Sequence, residues 1–254
     1  MSSDGFIQAF VTEVRNIYRT QDFIPLHAPV FKGEEKDLVI QALESTFVSS
    51  VGKSVEEFEA AIARYTGARH AVAVSSGTAA LHTALYAVGV ERGHEVITTP
   101  LTFVATCNAV SYCGAQPVFV DVNLNSLGMS PESLTDFLEQ NAEVRDDGNC
   151  WNRSTESIIR ACVPVHNLGH PVEIEEIATI CGHYNITLIE DAAESLGSFR
   201  HAQHTGTVGR VGVLSFNGNK IVTSGAGGAV VSGDEELLEK VRHLSTTANK
   251  TANE

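Results

Sequence analysis

Ala71-Val-Ala-Val-Ser-Ser-Gly-Thr-Ala-Ala-Leu81 runs from a short apolar strand, through a turn of small residues, into a helix. The strand is apolar without alternation, as expected when both faces of a sheet are covered. The same step recurs along the chain. Strands are predicted at 95–98, 117–120, 158–165 and 187–189, and helices at 77–88, 103–113, 131–140 and 173–184. Such alternation predicts an α/β fold, with a mainly parallel sheet between two helical layers. Ser130 caps the helix that opens with Pro131 and Glu132. Ser54 and Glu57 have the spacing of a capping box for a helix reaching residue 65.

The helix–strand rhythm breaks at two places. The polar stretch 143–156 reads as a surface insertion. Beyond Asp191 the helical pattern lapses, leaving strands at 211–216 and 229–231, close enough to pair antiparallel, and a last helix at 234–244. At the other end, 6–19 has helical spacing, with Phe6, Phe10 and Val14 on one face. Pro25 and Pro29 flank an extended connection, and 33–47 reads as a helix with Leu38, Val39, Ala42 and Leu43 turned inward. Residues 1–32 are thus expected to form an N-terminal helix and arm, and 33–254 the main domain.

The 254 residues carry a formal charge of -14, from 17 Lys and Arg against 31 Asp and Glu. Nucleic acid is not expected as a partner, since phosphate recognition on that scale needs clustered cations. Five cysteines, with no C-x-x-C pair, argue against a disulfide framework or a zinc ribbon, and no metal is expected. The first residues lack a basic stretch followed by an apolar one, and no apolar run reaches membrane-spanning length, so a cytoplasmic, membrane-free protein is expected. Val51-Gly-Lys-Ser54 is not a P-loop, because Phe47 stands where that motif needs glycine.

In open α/β sheets ligands bind beyond the carboxyl ends of the strands. Gly77, Thr78 and Ala79 open a helix there, where backbone N–H groups and the helix dipole favour an anion. The same residues also suit an ordinary capped turn. Phe103 follows the next strand and suits either a core ring or one lying over a planar ligand. Asp191 ends an apolar strand, where a buried carboxylate needs a cation or serves as a helix cap. Ser215 and Lys220 precede the glycine run 225–228, a setting for an imine-forming amine or for a loop lysine. His166 and His170 are four apart, but Gly169 and Pro171 rule out a helical zinc pair. His166, at a strand end, suits substrate contact. His201 and His204 fall in a polar loop and are expected to be solvated. Taken in order, an anion turn, an aromatic, a strand-end aspartate and a serine–lysine pair would hold pyridoxal phosphate.

Ser76-Gly-Thr-Ala-Ala-Leu81, Glu190-Asp-Ala-Ala-Glu194 and Ser215-Phe-Asn-Gly-Asn-Lys220, with Gly225 to Gly228, resemble the DegT/DnrJ/StrS family of sugar aminotransferases from about Leu26 onward. Thr46-Phe-Val-Ser-Ser-Val-Gly52, Pro100-Leu-Thr-Phe-Val-Ala-Thr106 and Val163-Pro-Val-His166 look most like the branch serving legionaminic-acid biosynthesis. The resemblance implies a fold-type I large domain and a homodimer. It implies amination of a nucleotide-linked 4-keto-6-deoxy amino sugar, usually from glutamate. Lys220 would carry the cofactor aldehyde and shuttle protons, and Asp191 would hold the ring nitrogen. Thr78 and Ser215 would take the phosphate, with the backbone of Gly77 and Ala79 near it. Phe103 would stack on the ring. Glu194 would stand near the ring hydroxyl, at a place often held by glutamine. Related dehydratases carry histidine in place of the lysine. Family members are also longer, with a C-terminal small domain that this chain, stopping at Glu254, is expected to lack. A chain without it is expected to bind the cofactor weakly, or to be a remnant without turnover.

Overall fold

The computed structural model describes residues 3–50 and 52–246. Three helices come first: α1 (Ser3–Tyr18), α2 (Glu35–Ser45) and α3 (Lys53–Thr66). The alternating region follows with β1 (His70–Val74), α4 (Gly77–Ala87), β2 (Glu95–Thr98), α5 (Ala105–Tyr112), β3 (Gln116–Phe119) and α6 (Pro131–Asn141). A hairpin of β4 (Ala142–Val144) and β5 (Cys150–Asn152) leads into β6 (Ser157–Cys162), α7 (Ile174–His183) and β7 (Thr187–Asp191). A small hairpin, β8 (Phe199–Arg200) and β9 (Gln203–His204), precedes β10 (Val211–Ser215), β11 (Gly228–Ser232) and α8 (Glu235–Ser245).

The main sheet has nine strands, with the path β1-β11-β10-β7-β6-β2-β3 and the β4–β5 hairpin joined to β6. Strands β10, β7, β6, β2 and β3 are parallel, while β11 lies antiparallel between β1 and β10. Successive residues of a strand enter different cores, as the pleat requires. Ile189, Val96 and Val213 pack with Leu81, Leu85 and Leu238 on one face. Leu188 and Ile97 pack with Leu134, Leu138 and Ile177 on the other. Leu214 and Val231 join Ile62 and Phe216 in a third cluster beneath α3. Two-sided burial is why these strands read as apolar runs, and it gives the three layers expected from the sequence.

Two expectations need correction and one is sharpened. The stretch 143–156 does lie between a helix and a strand, but it is an ordered hairpin. Its hairpin extends the sheet because the Glu95 carboxylate, buried at the start of β2, accepts hydrogen bonds from Asn152 (2.8 Å) and Thr155 (2.7 Å). Ser54 does not cap α3; the helix begins at Lys53, after Gly52 at φ 139°, and has no side-chain cap. In α2, Leu38, Val39 and Leu43 point outward and the helix buries no residue, as is also true of α1. Apolar periodicity marks a face but does not supply the layer that covers it.

Candidate active site

Four strand ends deliver the side chains singled out from the sequence to one cleft of about 240 Å³. Beyond β1, Ser76 caps α4 through a bond from Ala79 N–H to its Oγ (3.1 Å). That bond takes up the Ala79 N–H, so Ala79 is not free to hold an anion as expected, and it does not line the cleft. Gly77 and Thr78 do. Ser215, at the end of β10, packs directly on Gly77: a Cβ there would stand 2.7 Å from the Ser215 Cβ. Gly228, where β11 begins, comes closer still to Ser76, leaving no room for a side chain. Glycine is therefore required on both sides of the turn for packing rather than for φ.

Beyond β2, Phe103 sits two residues ahead of α5 and is 66 % exposed, so it is a wall of the cleft and not a core ring. Its loop is fixed by Asn167, whose amide donates to Leu101 O (3.0 Å) and Leu127 O (2.7 Å). At the end of β7 lies Asp191, buried to 4 % exposure. One of its oxygens accepts from Thr106 Oγ (2.8 Å) and the other from Ala193 N–H (3.2 Å). Burial pushes the Asp191 carboxyl above the usual aspartate range, against the pull of the Thr106 and Ala193 donors and of Lys220. A carboxylate so placed lowers its energy by facing a cation from the cleft.

Lys220 closes the set. Its Nζ lies 3.1 Å from Glu194 Oε1 and 5.8 Å from the centre of the Phe103 ring. Glu194 is thus the amine's ion-pair partner, and its other oxygen accepts from Leu168 N–H (2.9 Å).

His166 is the exception. Its imidazole is fully buried and faces away from the cleft, with Nε2 2.9 Å from Glu190 Oε2 and Nδ1 accepting from Val172 N–H (3.2 Å). Contact with a substrate is excluded by this packing; the residue is a buried strut. Glu190 also accepts from the N–H groups of Gly206, Val208 and Gly209. Burial pushes its carboxyl up, but the His166 ring and these donors outweigh it and hold Glu190 below the usual range. His204 is likewise buried, its Nε2 accepting from Gly197 N–H (2.8 Å), and is not the solvated residue expected. Thr106 and the Glu190–His166 pair were not found from sequence, because each acquires its partner only through the tertiary fold.

The cleft fits pyridoxal phosphate on its own chemistry: a helix start lined with hydroxyls, an exposed ring, a buried carboxylate and an amine. The model of the DegT/DnrJ/EryC1/StrS aminotransferase family matches residues 29–254. The chain belongs to this family. Its members are pyridoxal-phosphate-dependent sugar aminotransferases of fold type I. The chain is 38 % identical over 229 residues to the putative pyridoxal phosphate-dependent aminotransferase EpsN of Bacillus subtilis, covering 90 % of this chain and 56 % of EpsN. It is 36 % identical over 221 residues to GDP-perosamine synthase of Caulobacter vibrioides, covering 87 % and 55 %. Among solved structures, an aminotransferase from Psychrobacter cryohalolentis superposes with TM-score 0.74 at 33 % identity, covering 87 % of this chain and 51 % of that one. Helicobacter pylori PseC, an aminotransferase involved in pseudoaminic acid biosynthesis, superposes with TM-score 0.76 at 28 % identity, covering 92 % and 59 %. The chain spans about half the length of the relatives it matches.

Proposed function

We propose that this chain is the cofactor-binding part of an aminotransferase that acts on a nucleotide-linked 4-keto-6-deoxy amino sugar. L-Glutamate is the amino donor, the working form is a homodimer, and the setting is nonulosonic-acid or surface-polysaccharide synthesis, with legionaminic acid as the favoured branch. The observation that carries this reading is the convergence of Lys220, Asp191, Phe103 and Ser215 on one cleft at the carboxyl edge of the sheet. GDP-perosamine synthase and PseC among its relatives favour a sugar substrate. Lys220 favours transamination over dehydration.

When bound, pyridoxal phosphate supplies an aldehyde that captures amines and a ring that takes up the electron pair left on the neighbouring carbon. The chain's own residues do the rest. Thr78 and Ser215 offer hydroxyls to the phosphate beside the start of α4. Asp191 would balance the charge of a protonated ring nitrogen, and Phe103, a wall of the cleft, would lie against the ring. Lys220 Nζ would be the amine that anchors the aldehyde and the base that holds and moves a proton beside it. Glu194 is positioned to take or return a proton at Lys220 Nζ.

Titration with pyridoxal phosphate tests the reading. A visible absorption band is expected, with borohydride fixing the label on Lys220 and Lys220→Ala losing both. Amination of a nucleotide 4-keto-6-deoxy sugar at the expense of glutamate is then expected from the dimer. An unlabelled Lys220 overturns the cofactor assignment, and a labelled dimer that leaves glutamate intact with such sugars overturns the substrate class.

A further inference from the structure

We infer that Thr106 is a positioning residue for Asp191: with Thr102 it forms a directed chain of hydroxyls that keeps the buried carboxylate ionised and aimed into the cleft. The inference rests on the cofactor reading given above. Thr106 lies in the first turn of α5 with 1 % exposure, and its Oγ donates to Asp191 Oδ2 at 2.8 Å. With that single proton committed to an ionised Asp191, Thr106 accepts in its 2.8 Å contact with Thr102 Oγ, whose own proton has Phe103 O, farther off at 3.2 Å, as its other acceptor. Protons therefore point one way along the chain, from Thr102 through Thr106 to Asp191. Chained donors polarise one another, and donors to a carboxylate favour its charged form.

The need for such a device follows from the burial of Asp191. A neutral Asp191 has no charge to offer a ring nitrogen, and burial drives it toward that neutral form. The other groups bearing on it are the Ala193 N–H on its second oxygen, the Lys220 amine across the cleft and the His166 imidazole behind the strand. Of these, Lys220 gives up its free ammonium when it anchors an aldehyde. The hydroxyl chain then remains as a fixed source of stabilisation that the reaction does not consume. The bond also fixes the side chain. With Oδ2 tied to α5 and Oδ1 to Ala193 N–H, the carboxyl plane cannot rotate, and its remaining lone pairs are held in place.

Thr106→Val removes the hydroxyl at nearly constant volume, and Thr106→Ser restores it. In carbon-labelled protein without cofactor, nuclear magnetic resonance follows the Asp191 carboxyl through its titration. Thr106→Val is expected to raise its midpoint by about one pH unit or more, and Thr106→Ser to leave it near the native value. With pyridoxal phosphate added, Thr106→Val is expected to bind about tenfold more weakly and Thr106→Ser within about twofold of native. An Asp191 midpoint that Thr106→Val leaves unmoved, in protein with a native spectrum, overturns the inference whatever the cofactor does. So does a Thr106→Ser variant as perturbed as Thr106→Val. Should the midpoint move as expected while Lys220 captures no aldehyde in the native chain, the hydroxyl chain stands and the cofactor reading falls.

Discussion

Lys220 Nζ and Glu194 Oε1 lie 3.1 Å apart, and the same glutamate accepts from Leu168 N–H through its other oxygen. Leu168 has left-handed backbone, at φ 55°. The carboxylate is therefore fixed to an irregular turn after β6 while it holds the amine of the β10–β11 loop. Both side chains are partly covered, at 13 % and 29 % exposure, so the pair is modestly stabilising and chiefly restrains where the amine reaches. Glu194→Gln keeps an acceptor for Leu168 and removes the charge. It is expected to speed modification of Lys220 by an amine-directed reagent at pH 8 about two- to fivefold, read by peptide mass spectrometry. A rate equal to native would show that the ion pair does not restrain the amine.

Asp191 gives a pH dependence whose sign is fixed by its burial. Its folded value is raised, so its neutral form favours the fold below the ordinary aspartate value, and that contribution is lost as pH rises through the folded value. Asp191→Asn should accordingly raise the melting temperature of the unliganded chain near pH 7.5 by about 2–4 °C, while weakening retention of pyridoxal phosphate. The gain should shrink as the pH is taken toward 4. Thermal melts across that range check it, and a gain independent of pH would contradict it.

Glu190 runs the opposite way. Its folded value is lowered from 4.5, so its contribution is present above that value and is lost as pH falls through the lower, folded one. Glu190→Gln turns one acceptor oxygen into a donor and leaves buried N–H groups of the 206–209 turn without partners. A loss of about 2–4 kcal/mol at pH 7 is expected from urea unfolding. The difference from native should narrow below pH 4.5. Equal stability of the two chains at pH 7 would remove Glu190 from its place as the anchor of that turn.

Gly77→Ala tests the close approach of α4 to β10. The new Cβ would meet Ser215 Cβ at 2.7 Å and its Oγ at 2.9 Å. A destabilisation of about 1–3 kcal/mol is expected, together with weaker phosphate binding. Ser215→Gly in the same chain should recover part of the stability, since it removes both contacts. Unfolding of the single and double variants measures the coupling, and strictly additive effects would show that the two residues do not press on each other.

Much of this arrangement was legible before the structure. The parallel core announced itself through Ala71 to Val74 and the runs like it, because burial on both faces leaves no polar alternation. Asp191, Phe103, Ser215 and Lys220 were legible because each ends or follows a strand, and strand ends share one edge. Thr106 was not, since a threonine in a first helical turn is ordinary until β7 brings a carboxylate to it. His166 was misjudged for the same reason: its distance from the cleft is set by Glu190, which occupies the other side of the strand from Asp191. The 143–156 hairpin escaped notice because it is held by Asn152 and Thr155 on Glu95, polar contacts with no apolar period.

The placement of β11 bears on the order in which the molecule can be assembled. Among the described residues, strand β1 pairs only with β11, His70 facing Ser232 and Val74 facing Gly228. During synthesis β1 and the turn at Ser76 emerge early, yet their neighbour in the sheet, β11, leaves the ribosome about 150 residues later. The central parallel strands can collapse first; the turn at Ser76 is locked only by the insertion of β11 between two strands already made. Contacts so far apart in the chain are slow to form. A nascent or nicked chain that stops short of Gly228 would thus keep Asp191 and Lys220 on a nearly complete sheet, while leaving the Ser76–Gly77 end of the cleft unbuilt.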